Sequence, residues 1–386
     1  MLSGRDREID EIVENCKAAR LVVLTAEPGF GATALLNEAI APALISRGFI
    51  TVVASQWQGK AFAASLNQSI AQAVRDQING PFSPPEDISL AELLRGIRTG
   101  TGRAVALLFD RFEDYPRCHS GSDISDAFDA ELSHAIAGRD ACFVIALHRD
   151  ALPAFSRFAQ YIPNLLGFQI ELGPLDMRAA RELVRLEGEK RGIEVEPPVL
   201  DLLVSAPIAQ AAGGVHPFYL MAGVTRLLDS ARDQRMGSVG VALVEVCGGA
   251  VRLILESLDD KIATLSPTHA ELFFRWGNLL ISQEGRRECV AESTLADYSG
   301  KLNRFAVSLL PRLLELGIVR SIELNVGMRY EIARESLTPL VRDWWKRREL
   351  ELIARRKAKF RLRSISVAVG SIVALYAIWL LMTMKR

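Results

Sequence analysis

The stretch Leu21–Ile40, LVVLTAEPGFGATALLNEAI, decides how the rest of the chain is read. Leu21–Thr25 is apolar and predicts a short buried strand. Two glycines follow in a turn, and Thr33–Ile45 has the pattern of a helix. Strand, glycine turn and helix together have the shape of a phosphate-binding loop. In such a loop, backbone N–H groups cradle phosphate oxygens and the helix N-terminus adds positive potential. The working pattern is G-x-x-x-x-G-K-[ST], with the lysine on the β/γ-phosphates and the hydroxyl on magnesium. Here Ala26-Glu27-Pro28-Gly29-Phe30-Gly31-Ala32-Thr33 keeps the proline, two glycines and Thr33. It puts Ala26 in place of the first glycine and Ala32 in place of the lysine. Two readings are open at this point: a nucleotide loop with a weakened grip, or an ordinary turn of an α/β protein.

Further apolar strands are predicted at Phe49–Ala54, Ala104–Phe109, Cys142–Leu147 and Phe168–Leu172, with helices at 4–16, Phe62–Gln77, Leu90–Ile97 and Asp123–Ala137. Strands alternating with helices predict an α/β fold with a parallel sheet covered on both faces. Two of the strand ends carry chemistry. AVALLFDRFEDY ends in Asp110 and Glu113. On a strand next to the loop strand, the Asp would hold magnesium and the Glu would polarise an attacking water. The competing reading is a solvated acidic pair. FVIALHRDALPAF ends in His148 and Arg149, where open parallel sheets bind ligands. Arg149 either approaches a γ-phosphate or is a surface arginine paired with Asp150.

Beyond Gly173 the strand pattern stops. Met177–Arg191, Pro198–Val204 and Pro217–Ala231 read as helices. SPTHAELFFRWGNLL and AVSLLPRLLELGIV read as two more, followed by two strands around Asn325–Gly327. Helices closing on a hairpin suggest a winged helix.

In this order, GRDRE, PGFGAT, LLFDRFED, ALHRD and GGVHPFYL resemble a STAND NTPase, the signal-transduction branch of the AAA+-related P-loop ATPases. The resemblance covers about residues 2–350. It implies a P-loop NTPase core, a helical lid and a winged helix, with ATP or ADP and Mg²⁺ as cofactors. It places Gly4, Arg5 and Glu8 at the base pocket. The nucleotide would meet Pro28, Gly29, Phe30, Gly31, Ala32, Thr33 and Ala34, with Thr33 and Asp110 on the metal. Asp110, Glu113 and Arg149 would be the catalytic set, and Pro217 would stand near the adenine. The family's closing Y-x-I-x-H-D-x-L corresponds to Tyr330–Leu337, where Arg334 replaces the histidine that would face the β-phosphate. Losing one charge-assisted hydrogen bond, worth roughly 1.5–3 kcal/mol, weakens nucleotide binding about ten- to a hundredfold. Binding is expected to survive Ala32, and hydrolysis to suffer more, because catalysis depends on placed positive charge. The resemblance also implies roles in signalling or bacterial defence.

Composition narrows the partners. Lys+Arg and Asp+Glu each number 46 of 386 residues, so the overall charge favours neither nucleic acid nor any other charged partner. The five cysteines are scattered without C-x-x-C spacing, which favours reduced thiols and a cytosolic body over a disulfide framework or a zinc site. The predicted recognition helix carries only Lys301, Arg304 and Arg312, a thin basic face for reading DNA.

Ile365–Met384 has no charged residue in 20 positions, enough helix to span about 30 Å of bilayer. Arg355, Arg356, Lys357, Lys359, Arg361 and Arg363 precede it and only Lys385 and Arg386 follow, which predicts a cytoplasmic body on a single-pass C-terminal anchor. The resemblance implies a bacterial inner membrane. Arg342–Arg363 as a whole has ten Lys/Arg against three Asp/Glu, a net +7. Those cations also suit anionic lipid headgroups. Trp344 and Trp345 stand some twenty residues before the span and are expected on the winged helix instead. Ser366, Gly370 and Ala374 repeat every four residues and suit a homo-oligomer contact, or simply face lipid.

The expected organisation is therefore an NTPase-like α/β core over 1–173, a helical lid over 174–235 and a winged helix over 236–350. A basic segment over 351–364 and a transmembrane helix over 365–384 follow. Three functions remain open: a nucleotide switch with weak or absent hydrolysis, a pseudo-ATPase scaffold, and a membrane-anchored DNA-binding regulator.

Overall fold

The computed structural model describes residues 4–57, 61–85, 88–119, 123–283, 285–324, 327–333 and 337–354. The predicted transmembrane segment and Arg334 lie outside them. Among the described residues, no helix is long and apolar enough to cross a membrane.

Five parallel strands form the central sheet: β1 Leu21–Ala26, β2 Ile50–Ala54, β3 Val105–Phe109, β4 Ala141–His148 and β5 Gln169–Leu172, in spatial order β2-β3-β4-β1-β5. Each lies within a residue or so of its predicted bounds. The order corrects one expectation. The strand bearing Asp110 is not next to the loop strand, because β4 pairs with both of them.

Alternation along the strands assigns the two faces of the sheet. Leu21, Val23, Val105, Leu107, Phe109, Phe143 and Ile145 join one buried cluster. Helices Phe62–Ile78, Leu90–Thr101 and Asp123–Ala137 supply its outer layer. Val22, Leu24, Ala106, Leu108, Cys142, Val144 and Ala146 join the other. There the apolar faces of Asp6–Ala18 and of the helical run after the loop complete the layer, through Ile12, Val13, Leu35, Leu36, Ile40 and Leu44. The first face is aromatic and the second aliphatic with small residues. This lets Asp6–Ala18 and the loop helix lie close to the sheet. That helical run is not uniform. Ala32–Ala34 and Ala41–Ser46 flank a π-helical turn at Leu35–Ile40.

A third cluster gathers Leu175, Val184, Val199, Leu203, Leu220, Val224, Leu227 and Leu253 from helices Met177–Lys190, Pro197–Val204, Pro217–Asp233 and Ala250–Ala263. Strand structure does not stop at Gly173, as expected from sequence. Glu194–Val195 pairs with Ser238–Val239, and Gln210–Ala211 with Gly214–Val215. Two-residue strands leave no periodicity to detect.

By contacts the chain divides into two compact units: Met1–Asp260 with Arg320–Glu331, and Lys261–Val319 with Ile332–Arg386. In the second unit, helices Pro267–Leu280, Glu292–Ser299 and Asn303–Glu315 surround Trp276, whose indole donates to the Leu295 carbonyl and to Ser299. Trp344 and Trp345 pack on Phe273 and Phe274 of the first of these helices. The Trp345 ring stacks on Phe274 at 5.5 Å. All five cysteines are free thiols.

Gly4 precedes the first helix at φ +78°, and a Cβ there would stand 2.0 Å from the Ala179 Cβ. Gly4→Ala is expected to destabilise the first unit by about 1–3 kcal/mol, since both the backbone and Ala179 resist it. Urea unfolding followed by tryptophan fluorescence checks this, and an unchanged midpoint would refute it.

Candidate functional site

In a parallel sheet all strands end on one side, so Ala26, Ala54, Phe109 and His148 share the carboxyl edge, where α/β sheets hold ligands. The loop Glu27–Gly31 crosses that edge. Gly29 and Gly31 have φ of +87° and +92°, conformations that glycine adopts freely. No neighbouring atom crowds a Cβ at Gly31, so backbone conformation alone calls for glycine there. The Phe30 amide bonds the Glu27 carbonyl and the Leu35 amide bonds Gly31, tying the turn to the helix that follows. The first N–H groups of that run have no partner within the helix itself, as at any helix start.

The Thr33 hydroxyl lies 3.0 Å from each carboxylate oxygen of Asp110. The intervening β4 does not keep them apart, because Asp110 stands just past the end of β3 and faces the loop helix. Asp110 is 2% exposed, and burial holds its carboxyl above the usual carboxylate range against the opposing pull of Thr33 and Arg111. One hydroxyl and one carboxylate are hard oxygen donors of the kind Mg²⁺ takes when phosphates and water complete its shell. Thr33 and Asp110 thus fit that ion. Position 32 does not fit the usual phosphate partner, since Ala32 is uncharged and packs against the aliphatic face of the core.

The acidic segment is held from behind by aromatics. Phe112, between Asp110 and Glu113, is buried and lies against Trp57 and Tyr115. The Trp57 indole donates to the Asp110 carbonyl at 2.8 Å, and the Phe112 amide donates to Ala146 on β4. Glu113 is buried and accepts from the His148 amide at 3.3 Å, with the His148 ring 3.5 Å away. Arg149 is exposed and pairs with Glu171 on β5 at 2.9 Å, not with Asp150. Glu113 and Arg149 thus have partners within the protein, on neighbouring strand ends. Arg5 is buried, pairs with Glu8 and donates to the carbonyls of Phe30 and Gly173. These bonds tie the first helix to the loop backbone.

Residues 1–361 match the family described as Novel STAND NTPase 1. The chain belongs to that family. Membership supports a nucleotide-binding NTPase of the STAND type. No curated protein matches the chain. Solved structures that it resembles include the Aeropyrum pernix ORC2 protein in ADPNP–ADP complexes, at 15% identity. That likeness covers 90% of this chain and 95% of that one, with a TM-score of 0.47. The Aeropyrum pernix ORC1 protein in complex with DNA is 15% identical over 92% and 94%, with a TM-score of 0.45. Cdc6p from Pyrobaculum aerophilum is 13% identical over 90% and 95%, at 0.42. Likenesses of this strength carry nothing about ligands or activity.

Two residues packed around this candidate site carry no sequence motif. Trp57 follows β2 with no motif around it. His216 was passed over for its neighbour Pro217, which opens helix Pro217–Asp233. Its ring meets Phe30 edge-on at 4.9 Å and Tyr219 at 4.6 Å. Burial pushes the His216 pKa down to about 4, although contact with the Pro28 carbonyl pulls the other way. The signal available was an aromatic at the loop tip and a histidine before a helix-opening proline.

A folded-state pKa below the ordinary 6.5 means that the unfolded chain binds the proton more readily. The stabilisation is complete above pH 6.5 and is lost as pH falls towards 4. About 1–3 kcal/mol is expected to go, after discounting for partial exposure of the ring. His216→Phe should remove this part of the acid sensitivity. Urea midpoints for both chains across that range check it, and parallel pH profiles would refute it.

Proposed function

We propose that this chain is a membrane-tethered nucleotide switch of the STAND type that binds ATP or ADP with Mg²⁺ and hydrolyses ATP weakly or not at all. The observation that carries the reading is Thr33 bonded to both oxygens of buried Asp110, at the mouth of a loop shaped by Gly29 and Gly31. Metal donors are in place, while Ala32 takes away the cation that would steady charge on the transferring phosphate. Glu113 and Arg149, engaged with His148 and Glu171, would have to release those partners to take part in hydrolysis. Pro217 and His216 would form the lid side of the site.

Beyond this core, residues 236–350 are read as a winged helix, and nucleotide exchange is read as the signal for copies to assemble. The apolar run 365–384 is read as the anchor, with the basic segment before it on anionic lipid. A chain truncated after Arg363 should leave the membrane fraction for the supernatant in a sedimentation assay. If the full chain is itself in the supernatant, the tether is wrong.

Calorimetry of the full-length chain in detergent, titrated with ATP and with ADP, with and without Mg²⁺, tests the switch. Saturable, Mg²⁺-dependent binding with little phosphate release is the expected result. Absence of binding leaves a pseudo-ATPase scaffold, and rapid turnover would overturn the impaired-hydrolysis reading. Salt-sensitive DNA binding would favour the anchored regulator.

A further inference from the structure

The loop has lost its lysine, but a cation stands on the other side of the metal donors. We propose that Arg111 is the phosphate-binding cation of this site, in the role that Ala32 leaves open, and that it recognises the β- or γ-phosphate of the bound nucleotide. This rests on the nucleotide reading above and names the residue that makes it workable.

Three observations carry it. First, position: the Arg111 Nε lies 3.9 Å from an Asp110 carboxylate oxygen, and that same oxygen lies 3.0 Å from the Thr33 hydroxyl, next to Ala32. Arg111 and Thr33, the residue after Ala32, thus meet at one carboxylate oxygen of Asp110. Second, the guanidinium is not used up. The contact to Asp110 is an ion pair beyond hydrogen-bond length, the Nε is buried without a hydrogen-bond partner, and the side chain as a whole is 36% exposed. A planar fork with open donors beside a loop of backbone N–H groups suits a bidentate phosphate contact. Third, backbone: Arg111 has φ +52°, a left-handed conformation uncommon for a long side chain. Residues held in this way cluster at ligand clamps. Here the conformation keeps Phe112 in the aromatic cluster while Arg111 stays beside Asp110 at the carboxyl edge.

The arrangement explains why Ala32 is tolerated. Arg111 also offsets the Asp110 charge in the absence of Mg²⁺, so the buried carboxylate is not left uncompensated.

The test is a double-mutant cycle on the full-length chain in detergent, with ATP, ADP and adenosine titrated calorimetrically in the presence of Mg²⁺. Arg111→Asn removes the charge and tolerates the left-handed backbone. It is expected to weaken ATP and ADP binding about ten- to a hundredfold and to leave adenosine unchanged. Ala32→Lys is expected to recover most of that loss in the Arg111→Asn background and to add less to the native chain, because two cations then share one phosphate. Arg111→Lys should retain more affinity than Arg111→Asn. ATP binding unchanged in Arg111→Asn, equal gains from Ala32→Lys in both backgrounds, or equal losses in Arg111→Lys and Arg111→Asn would each overturn the assignment. A native chain that binds ATP while Arg111→Asn is indifferent fails this inference alone. A native chain that binds no nucleotide fails the function reading as well.

Discussion

Arg320→Ala is expected to cost the first unit about 3–5 kcal/mol, the range for removing one partner of a buried ion pair. Arg320 lies on the hairpin strand Val319–Leu324 and holds two carboxylates. Its Nη2 donates to both oxygens of Asp114, at 2.9 and 2.8 Å, and its Nε donates to Glu331 at 2.7 Å. Asp114 is 3% exposed and Glu331 fully buried. Burial lowers the pKa of the guanidinium, and Asp114 and Glu331 more than reverse that, so the arginine stays charged at any working pH. Truncation leaves both acids with Arg117, 2.9 Å from Glu331 and 3.6 Å from Asp114, and without their shared arginine. The consequence reaches the site, because Asp114 begins the helical turn directly after Glu113 and four residues after Asp110. Thermal unfolding by differential scanning calorimetry reads the loss. Asp114→Asn with Glu331→Gln, added to Arg320→Ala, should return part of it by removing the stranded charges. A midpoint unchanged in Arg320→Ala would show that the acids do not depend on Arg320. Cys118, in the same environment, has its thiol pKa pushed up to about 12, by burial first and then by Asp114. It should stay slow towards alkylating reagents at pH 8 in the native chain and, in the folded state, slower still in Arg320→Ala, because Arg320 pulls the thiol pKa down while Asp114 and Glu331 push it up.

Trp57→Ala has a comparable expected cost, about 3–5 kcal/mol for emptying a large aromatic site in the core. The ring is 1% exposed and meets Phe109, Phe112 and Tyr115 edge-on at 4.9, 5.0 and 6.3 Å. Trp57→Phe separates its two roles. It keeps most of the packing but leaves the Asp110 carbonyl without its indole donor, which costs about 1–3 kcal/mol. In nucleotide titrations, Trp57→Phe should weaken the Mg²⁺-dependent part of binding more than the Mg²⁺-free part if Asp110 carries the metal contact, as the proposed function has it. Equal loss in both would mean that Trp57 supports the fold only. Urea unfolding of the two variants supplies the stability side of the comparison.

Local pattern was enough for the sheet. β1 to β5 were legible because each is a short apolar run bounded by turn residues, and a strand buried on both faces needs only that. Asp110 was legible for a related reason, since an acid closing an apolar run can only stand at a strand end. Gly29 and Gly31 were legible because a turn into a helix needs positive φ.

Strand order was not legible. Nothing in the residues of β4 says that it inserts between β1 and β3, because the order depends on crossovers packing helices on both faces at once. The partners of Arg5, Glu113 and Arg149 were hidden as well. A charged side chain pairs with whatever the fold brings within a few ångströms, and Gly173, His148 and Glu171 are close only in space. Trp57 and His216 belong to the site through rings 4.9 Å from Phe109 and from Phe30, respectively. The buried group of Asp114, Arg117, Arg320 and Glu331 joins residues some two hundred positions apart, which no local periodicity encodes.

The sequence by itself determined the α/β class, the glycine loop at Gly29–Gly31, the missing lysine at position 32, the acid at the end of β3 and the charge-free run near the C-terminus. Those are properties of consecutive residues. Only the tertiary structure decided that Asp110 reaches Thr33 across an intervening strand, that Arg5 bonds the loop backbone, and that Arg111 stands beside the Asp110 carboxylate. Each of those depends on distance through space, set by how two apolar faces of one sheet are covered.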